Sequence, residues 1–121
     1  MAKNPIRTAE GCEIYEEPVP GMDYRMGVDP SEGIVDPSSI SVVSASGRKV
    51  AKFNAMIPII GLADKVKFLY YMYGKPLIVP ESNAAGAALI REIRDLRVYR
   101  RKQLDYKHDQ ETETLRFPNV L

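Results

Sequence analysis

Two acidic residues, Asp29 and Glu81, each close a short apolar run and are each followed at once by turn-forming residues. The first ends Tyr24-Arg25-Met26-Gly27-Val28-Asp29 and leads into Pro30-Ser31-Glu32-Gly33. The second follows Leu77-Ile78-Val79-Pro80 and leads into Ser82-Asn83-Ala84-Ala85-Gly86. If both runs are strands of one sheet, the two carboxylates come side by side at its rim. Such a pair needs a compensating cation, and a divalent metal held there would activate water and stabilise the leaving oxygen of a phosphodiester. Each acid also has a plainer reading. Asp29-Pro30 is ordinary turn chemistry, and Glu81 is an acid near a helix N-terminus, where the dipole favours it. Gly27 shares the face of Asp29 and leaves room beside it for a ligand or a backbone.

The other candidates are more ambiguous. Asp36 lies in the loop after the first strand, as a cap or turn former or as a further ligand. Asn83 and Gly86 read as a helix start with free N–H groups near an anion, and equally as plain capping with close packing. The basic set Arg91, Arg94, Arg97, Arg100, Arg101 and Lys102 continues to Lys107, with Tyr99 and Tyr106 interleaved. The three-residue spacing puts Arg91, Arg94 and Arg97 on roughly one helix face. That stripe is either solvated and partly offset by Glu92 and Asp95, or a phosphate-tracking surface. A P-loop and a G-x-S-x-G motif are both missing from the sequence. One cysteine (Cys12) and one histidine (His108) make neither an internal disulfide nor a Cys/His zinc site.

The elements that must position these residues can be read from periodicity. The 121 residues are 45% hydrophobic and 27% charged, as expected of one globular domain. Residues 1–22, rich in Pro, Glu and Gly, read as an arm or linker with one short strand near Glu13 to Tyr15. Tyr24 to Asp29, Ser39 to Ala45 and Lys49 to Ile57 alternate as strands, the last two joined by a turn at Ser46-Gly47. Pro58 opens a helix through Leu62, Val66, Leu69 and Tyr73, with Gly74 as its C-terminal cap. Leu77 to Val79 is a buried strand, and Asn83 caps a second helix with Leu89, Ile90, Ile93 and Leu96 on its apolar side. Val98-Tyr99 begins a further strand, and 103–121 is an irregular tail. The expected fold is α/β: a three-strand antiparallel meander followed by helix-connected parallel strands, all within 23–102.

Net charge is +1, yet residues 1–46 hold three Lys/Arg against eight Asp/Glu, while 47–107 hold thirteen against five. An acidic site beside a basic track is compatible with a polyanionic substrate. No stretch reaches the roughly 18 apolar residues of a membrane span. The start Met1-Ala2-Lys3-Asn4-Pro5 lacks a secretory leader's apolar stretch, so an intracellular chain is expected.

In order and spacing, the segments Gly27-Val28-Asp29-Pro30-Ser31-Glu32-Gly33, Asp36-Pro37-Ser38-Ser39-Ile40 and Glu81-Ser82-Asn83-Ala84-Ala85-Gly86 resemble the C-terminal nuclease domain of tailed-phage terminase large subunits. The resemblance spans about residues 22 to 102. It implies an RNase H-like fold and metal-dependent endonucleolytic cleavage of double-stranded DNA during packaging. It also implies Mg2+ or Mn2+ held by Asp29 and Glu81, with Asp36 as a further ligand and Asn83 and Gly86 in the adjoining loop. The basic residues Arg91 to Lys102 would face DNA. Other terminase and portal components would be partners in the host cytoplasm, an oligomer being compatible and a membrane not involved. Pro80 departs from the family's usual aliphatic residue. The family's later acidic helix has no counterpart, and His108-Asp109 matches it by letter only. A domain truncated at its C-terminus, weakly active or inactive alone, is therefore expected. The alternatives are a catalytically silent DNA-binding or assembly module and another RNase H-like enzyme such as a recombinase or resolvase.

Overall fold

The computed structural model describes residues 4–32 and 34–99. The chain order is β1 (Arg7–Ala9), β2 (Cys12–Ile14), β3 (Tyr24–Asp29), β4 (Ser38–Ser44), β5 (Lys49–Ala55), α1 (Ile59–Met72), β6 (Leu77–Pro80) and α2 (Ala84–Ile93). One sheet contains all six strands in the order β1-β2-β5-β4-β3-β6. The meander β3-β4-β5 is antiparallel, and α1 carries the chain across to β6, which pairs parallel to β3. Beyond β6, Val98 bridges Ile78 in parallel, where a further strand was expected to begin.

Strict alternation decides which face is buried. Tyr24, Met26 and Val28 of β3 join Ile40 and Val42 of β4 in the core, while Arg25, Gly27 and Asp29 point away. Leu62, Val66 and Leu69 of α1 and Leu89 and Ile93 of α2 pack into the same cluster, so both helices cover one face. No described helix covers the other face. Gly74, at φ +77°, ends α1 where the sequence placed a left-handed cap, and the Lys75 N–H closes it onto the Tyr70 carbonyl at 2.8 Å.

The N-terminal segment is not an arm. β1 and β2 form a hairpin, and β2 extends the sheet by pairing antiparallel with β5. Its turn, Glu10-Gly11, has φ of 53° and 78°, the positive pair that a tight two-residue hairpin loop requires. Cys12 and Ile14 are fully buried. The Pro-rich stretch behind them is tied down as well: Tyr73 donates its hydroxyl to the Glu16 carbonyl at 2.7 Å, and the Val19 N–H donates to the Tyr24 hydroxyl at 2.9 Å. The two tyrosine rings meet edge to face at 5.0 Å.

Two measurements test this packing. Ile14→Ala should cost about 2–5 kcal/mol in urea unfolding, whereas the same change at Ile34, 75% exposed, should be nearly neutral. An arm would give no loss at Ile14. Burial pushes the Cys12 thiol up to about 11 and the Tyr73 phenol up to about 12. Both groups are held neutral in the folded state, so their contribution is intact below the thiol's ordinary 9.0 and declines as pH rises towards 12. The melting temperature should be flat through neutral pH and fall above that point, less steeply in Tyr73→Phe.

Candidate metal centre

Parallel pairing brings the two acids together. β3 and β6 align Arg25 with Leu77, Met26 with Ile78, Gly27 with Val79 and Val28 with Pro80. The Glu81 N–H continues this ladder by donating to the Val28 carbonyl at 2.8 Å. Asp29 and Glu81 are thus the next positions on neighbouring strands, which lie about 4.8 Å apart. Both are exposed, and neither carboxylate forms a hydrogen bond or ion pair with the described residues. Two like charges at such a spacing repel by about 1 kcal/mol in water. The backbone ladder holds them there nonetheless.

Pro80 fits this arrangement for a geometric reason. Ile78 uses its N–H and carbonyl on the side of residues 97–99, accepting from Tyr99 and donating to Arg97, both at 2.8 Å. Two residues on, the proline nitrogen faces that same outer side. The donor it lacks is therefore not one that β3 needs.

Asn83 joins the two acid-bearing loops. Its Oδ1 accepts from the Gly86 N–H at 2.6 Å, capping α2, while its Nδ2 donates to the Pro30 carbonyl at 3.4 Å. Gly86 is buried against the Glu81 backbone, and a Cβ there would overlap the Glu81 carbonyl oxygen. The loop after Asp29 is also clasped at its base. The hydroxyl of buried Ser38 accepts from the Ser31 N–H at 2.8 Å, and the Ser31 hydroxyl donates to the Asp36 carbonyl.

The structure does not gather all the expected residues. Asp36 sits exposed on that loop, and among the described residues no three His, Cys, Asp or Glu side chains come together around a common point. The arginine stripe is not a stripe. α2 ends at Ile93, so Arg91 lies in its last turn and Arg97 lies beyond it. Arg97 donates to the Lys75 carbonyl at 2.9 Å, at the end of β6 opposite Glu81. From its start beside Glu81, α2 runs about 15 Å towards that far rim, carrying Arg91 away from the carboxylates. Arg100, Arg101 and Lys102 lie outside the described residues.

Sequence reading missed two neighbours. Ser39 is the direct partner of Asp29, and Asn54 is the direct partner of Ser39. Asn54, Ser39, Asp29 and Glu81 therefore form one row across four strands on the uncovered face. The period-two polar positions Ser39/Ser41 and Lys52/Asn54 were the available signal.

The donor set fits a hard divalent cation. Mg2+ binds through one or two carboxylates and keeps several waters, and here two unengaged carboxylates face solvent. Asn83→Ala should lower stability by about 0.5–2 kcal/mol through the lost cap, read by thermal melting. Gly86→Ala should cost more, because the Glu81 backbone must move to admit the methyl group.

Neither a family model nor a curated protein sequence matches the chain. Solved structures do. The large terminase nuclease from thermophilic phage G20c with bound magnesium superposes with TM-score 0.68 at 19% identity, covering 79% of this chain and 52% of that one. Its zinc-bound form gives 0.67 at 19%, covering 79% and 57%. The Thermus phage P74-26 large terminase nuclease domain gives 0.63 at 20%, covering 79% and 50%. The chain thus spans about half the length of the nuclease chains it matches. Its mixed sheet, in which α1 leads from β5 to β6 and β6 pairs parallel to β3, is the RNase H-like fold of the phage large-terminase nuclease domain.

Proposed function

We propose that this chain is the part of a DNA-packaging endonuclease that holds a catalytic divalent metal, Mg2+ or Mn2+, between Asp29 and Glu81. The observation that carries this reading is the register of β3 and β6, which leaves two unengaged carboxylates adjacent at one rim. The bound metal would supply an activated water and charge stabilisation at the scissile phosphodiester. The chain's own contribution is positional. β3 and β6 fix the spacing of the acids, Asn83 and Gly86 fix the loop behind Glu81, and Gly27 keeps space open beside Asp29. Double-stranded DNA is the substrate class in this reading, within a phage packaging assembly in the host cytoplasm. The nuclease structures with bound magnesium and zinc lend support by fold.

A second reading, a catalytically silent DNA-binding or assembly module, draws on a separate observation: no third acidic side chain joins the pair among the described residues. Titrating the protein with Mn2+ in a calorimeter separates the two. The nuclease reading expects a binding isotherm in the wild type that disappears in Asp29→Asn and in Glu81→Gln, with weak or no nicking of supercoiled plasmid. Absence of any metal-dependent heat in the wild type favours the silent module.

A further inference from the structure

The uncovered face of the sheet is chemically uneven around the two acids. On the loop side stand Glu32 and Asp36, both exposed. Arg91, in the last turn of α2, and Arg97 beyond it lead to the opposite rim. Across β4 and β5, in contrast, the face is neutral to positive. The row through Asp29 continues into Ser39 and Asn54. The next row aligns Gly27, Ser41 and Lys52, and beyond Lys52 it reaches Glu13 of β2, whose carboxylate accepts from the Tyr15 hydroxyl. Neither the Ser39 hydroxyl nor the Asn54 amide makes a side-chain hydrogen bond to the described residues, and the Lys52 ammonium makes no ion pair with them. A Cβ at Gly27 would meet nothing within 4 Å, so the second row is open at its Gly27 end.

We propose that Ser39 and Asn54, with Lys52 behind them, bind the phosphate backbone of a DNA strand that crosses the sheet from the carboxylate pair towards β5. The inference rests on the nuclease reading and adds to it the direction of the substrate. Strand spacing makes the row from Glu81 to Asn54 about 14 Å long, enough to follow a backbone past the cleavage point. The residue types suit the task. Serine hydroxyls and asparagine amides are regular donors to phosphate oxygens. Being uncharged, they neither repel the phosphate, as a third acid would, nor form an ion pair with Asp29, as an arginine would. Lys52, one row away, adds the salt-sensitive attraction that backbone binding requires. Exposed Glu32 and Asp36 on the other flank disfavour the reverse path, and Glu13 opposite Lys52 sets the limit of the favourable stretch at β5.

The test is binding of a short fluorescent DNA duplex in Ca2+, followed by anisotropy, with Mn2+ calorimetry and melting temperature measured on the same proteins. Ser39→Ala/Asn54→Ala should weaken DNA binding at least about tenfold, as expected for lost hydrogen bonds to a charged acceptor, while Mn2+ binding persists. Asn54→Asp, close to isosteric but anionic, should weaken it more than Asn54→Ala. Lys52→Ala should reduce the salt dependence of binding. DNA affinity unchanged in the double variant, with metal binding intact, overturns the inference and leaves the nuclease reading standing. Equal effects of Asn54→Asp and Asn54→Ala also overturn it, because a merely structural role is blind to charge. A wild-type protein that binds no Mn2+ removes both together, and one that binds Mn2+ but no duplex removes the inference alone.

Discussion

The parallel pairing of β3 with β6 is the constraint on which everything else depends. Antiparallel neighbours alternate direction, so residues that close two consecutive strands lie at opposite rims. Parallel neighbours end at the same rim. That geometry cannot be reached by a tight turn; it needs a crossover of a dozen or more residues. Helix α1, Ile59–Met72, provides it. The crossover must then bury an apolar side, and Leu62, Val66 and Leu69 do so against the β3 and β4 core. One connection thus produces the hydrophobic core and the adjacency of Asp29 and Glu81.

The two faces of the sheet divide the work. The helix-covered face contains nearly all the fully buried apolar side chains, including Cys12 and Ile14 from the N-terminal hairpin. Stability therefore depends on a face that has no part in the chemistry. The uncovered face carries Asp29, Ser39, Ser41, Lys52 and Asn54, whose polar groups need water or a ligand. Because these residues alternate with core residues along the same strands, the packing that fixes Val28 and Ile40 also fixes Asp29 and Ser39. A well-packed core beneath is what gives the row its defined spacing.

How much of this was legible in the sequence varied with how local the cause was. Tyr24–Asp29 alternates strictly and is punctuated by Asp-Pro, so its expected bounds coincide with β3. Pro58, Gly74 and Asn83 mark helix ends through backbone chemistry that acts within a turn, and those signals matched α1 and α2. The N-terminal hairpin was obscured by the Pro18 and Pro20 stretch behind it, and by a turn that sets a glutamate at positive φ. Arg97 misled for a different reason. The three-residue spacing suggested continued helix, but residues 97–99 gain sheet hydrogen bonds to Ile78, and the Arg97 N–H donates to the Tyr70 hydroxyl. Tertiary pairing outcompeted another helical turn. Asn54, the partner of Ser39 on β5, was hidden because the β4–β5 register is set by two irregularities: a loop at 45–47 between Ser44 and Arg48, and a register shift after Val42 that leaves Val50 and Ala51 buried in succession.

The rim position of the acids also resolves an energetic conflict. Buried together, two carboxylates would suffer desolvation as well as mutual repulsion, and one would be driven to take up a proton. At an exposed strand end the cost without a cation is small, since water screens both. Orientation, which solvent exposure would normally sacrifice, is supplied by the backbone: the ladder through Val28, the Asn83 amide reaching Pro30, and the Gly86 contact with the Glu81 carbonyl. These groups hold the main chain on both sides of the pair without touching either carboxylate. The acids therefore remain solvated and free of partners among the described residues while their origins stay fixed. That combination is what a weakly dehydrated divalent cation requires of its ligands, and it follows from placing the pair one residue beyond the end of a buried parallel ladder.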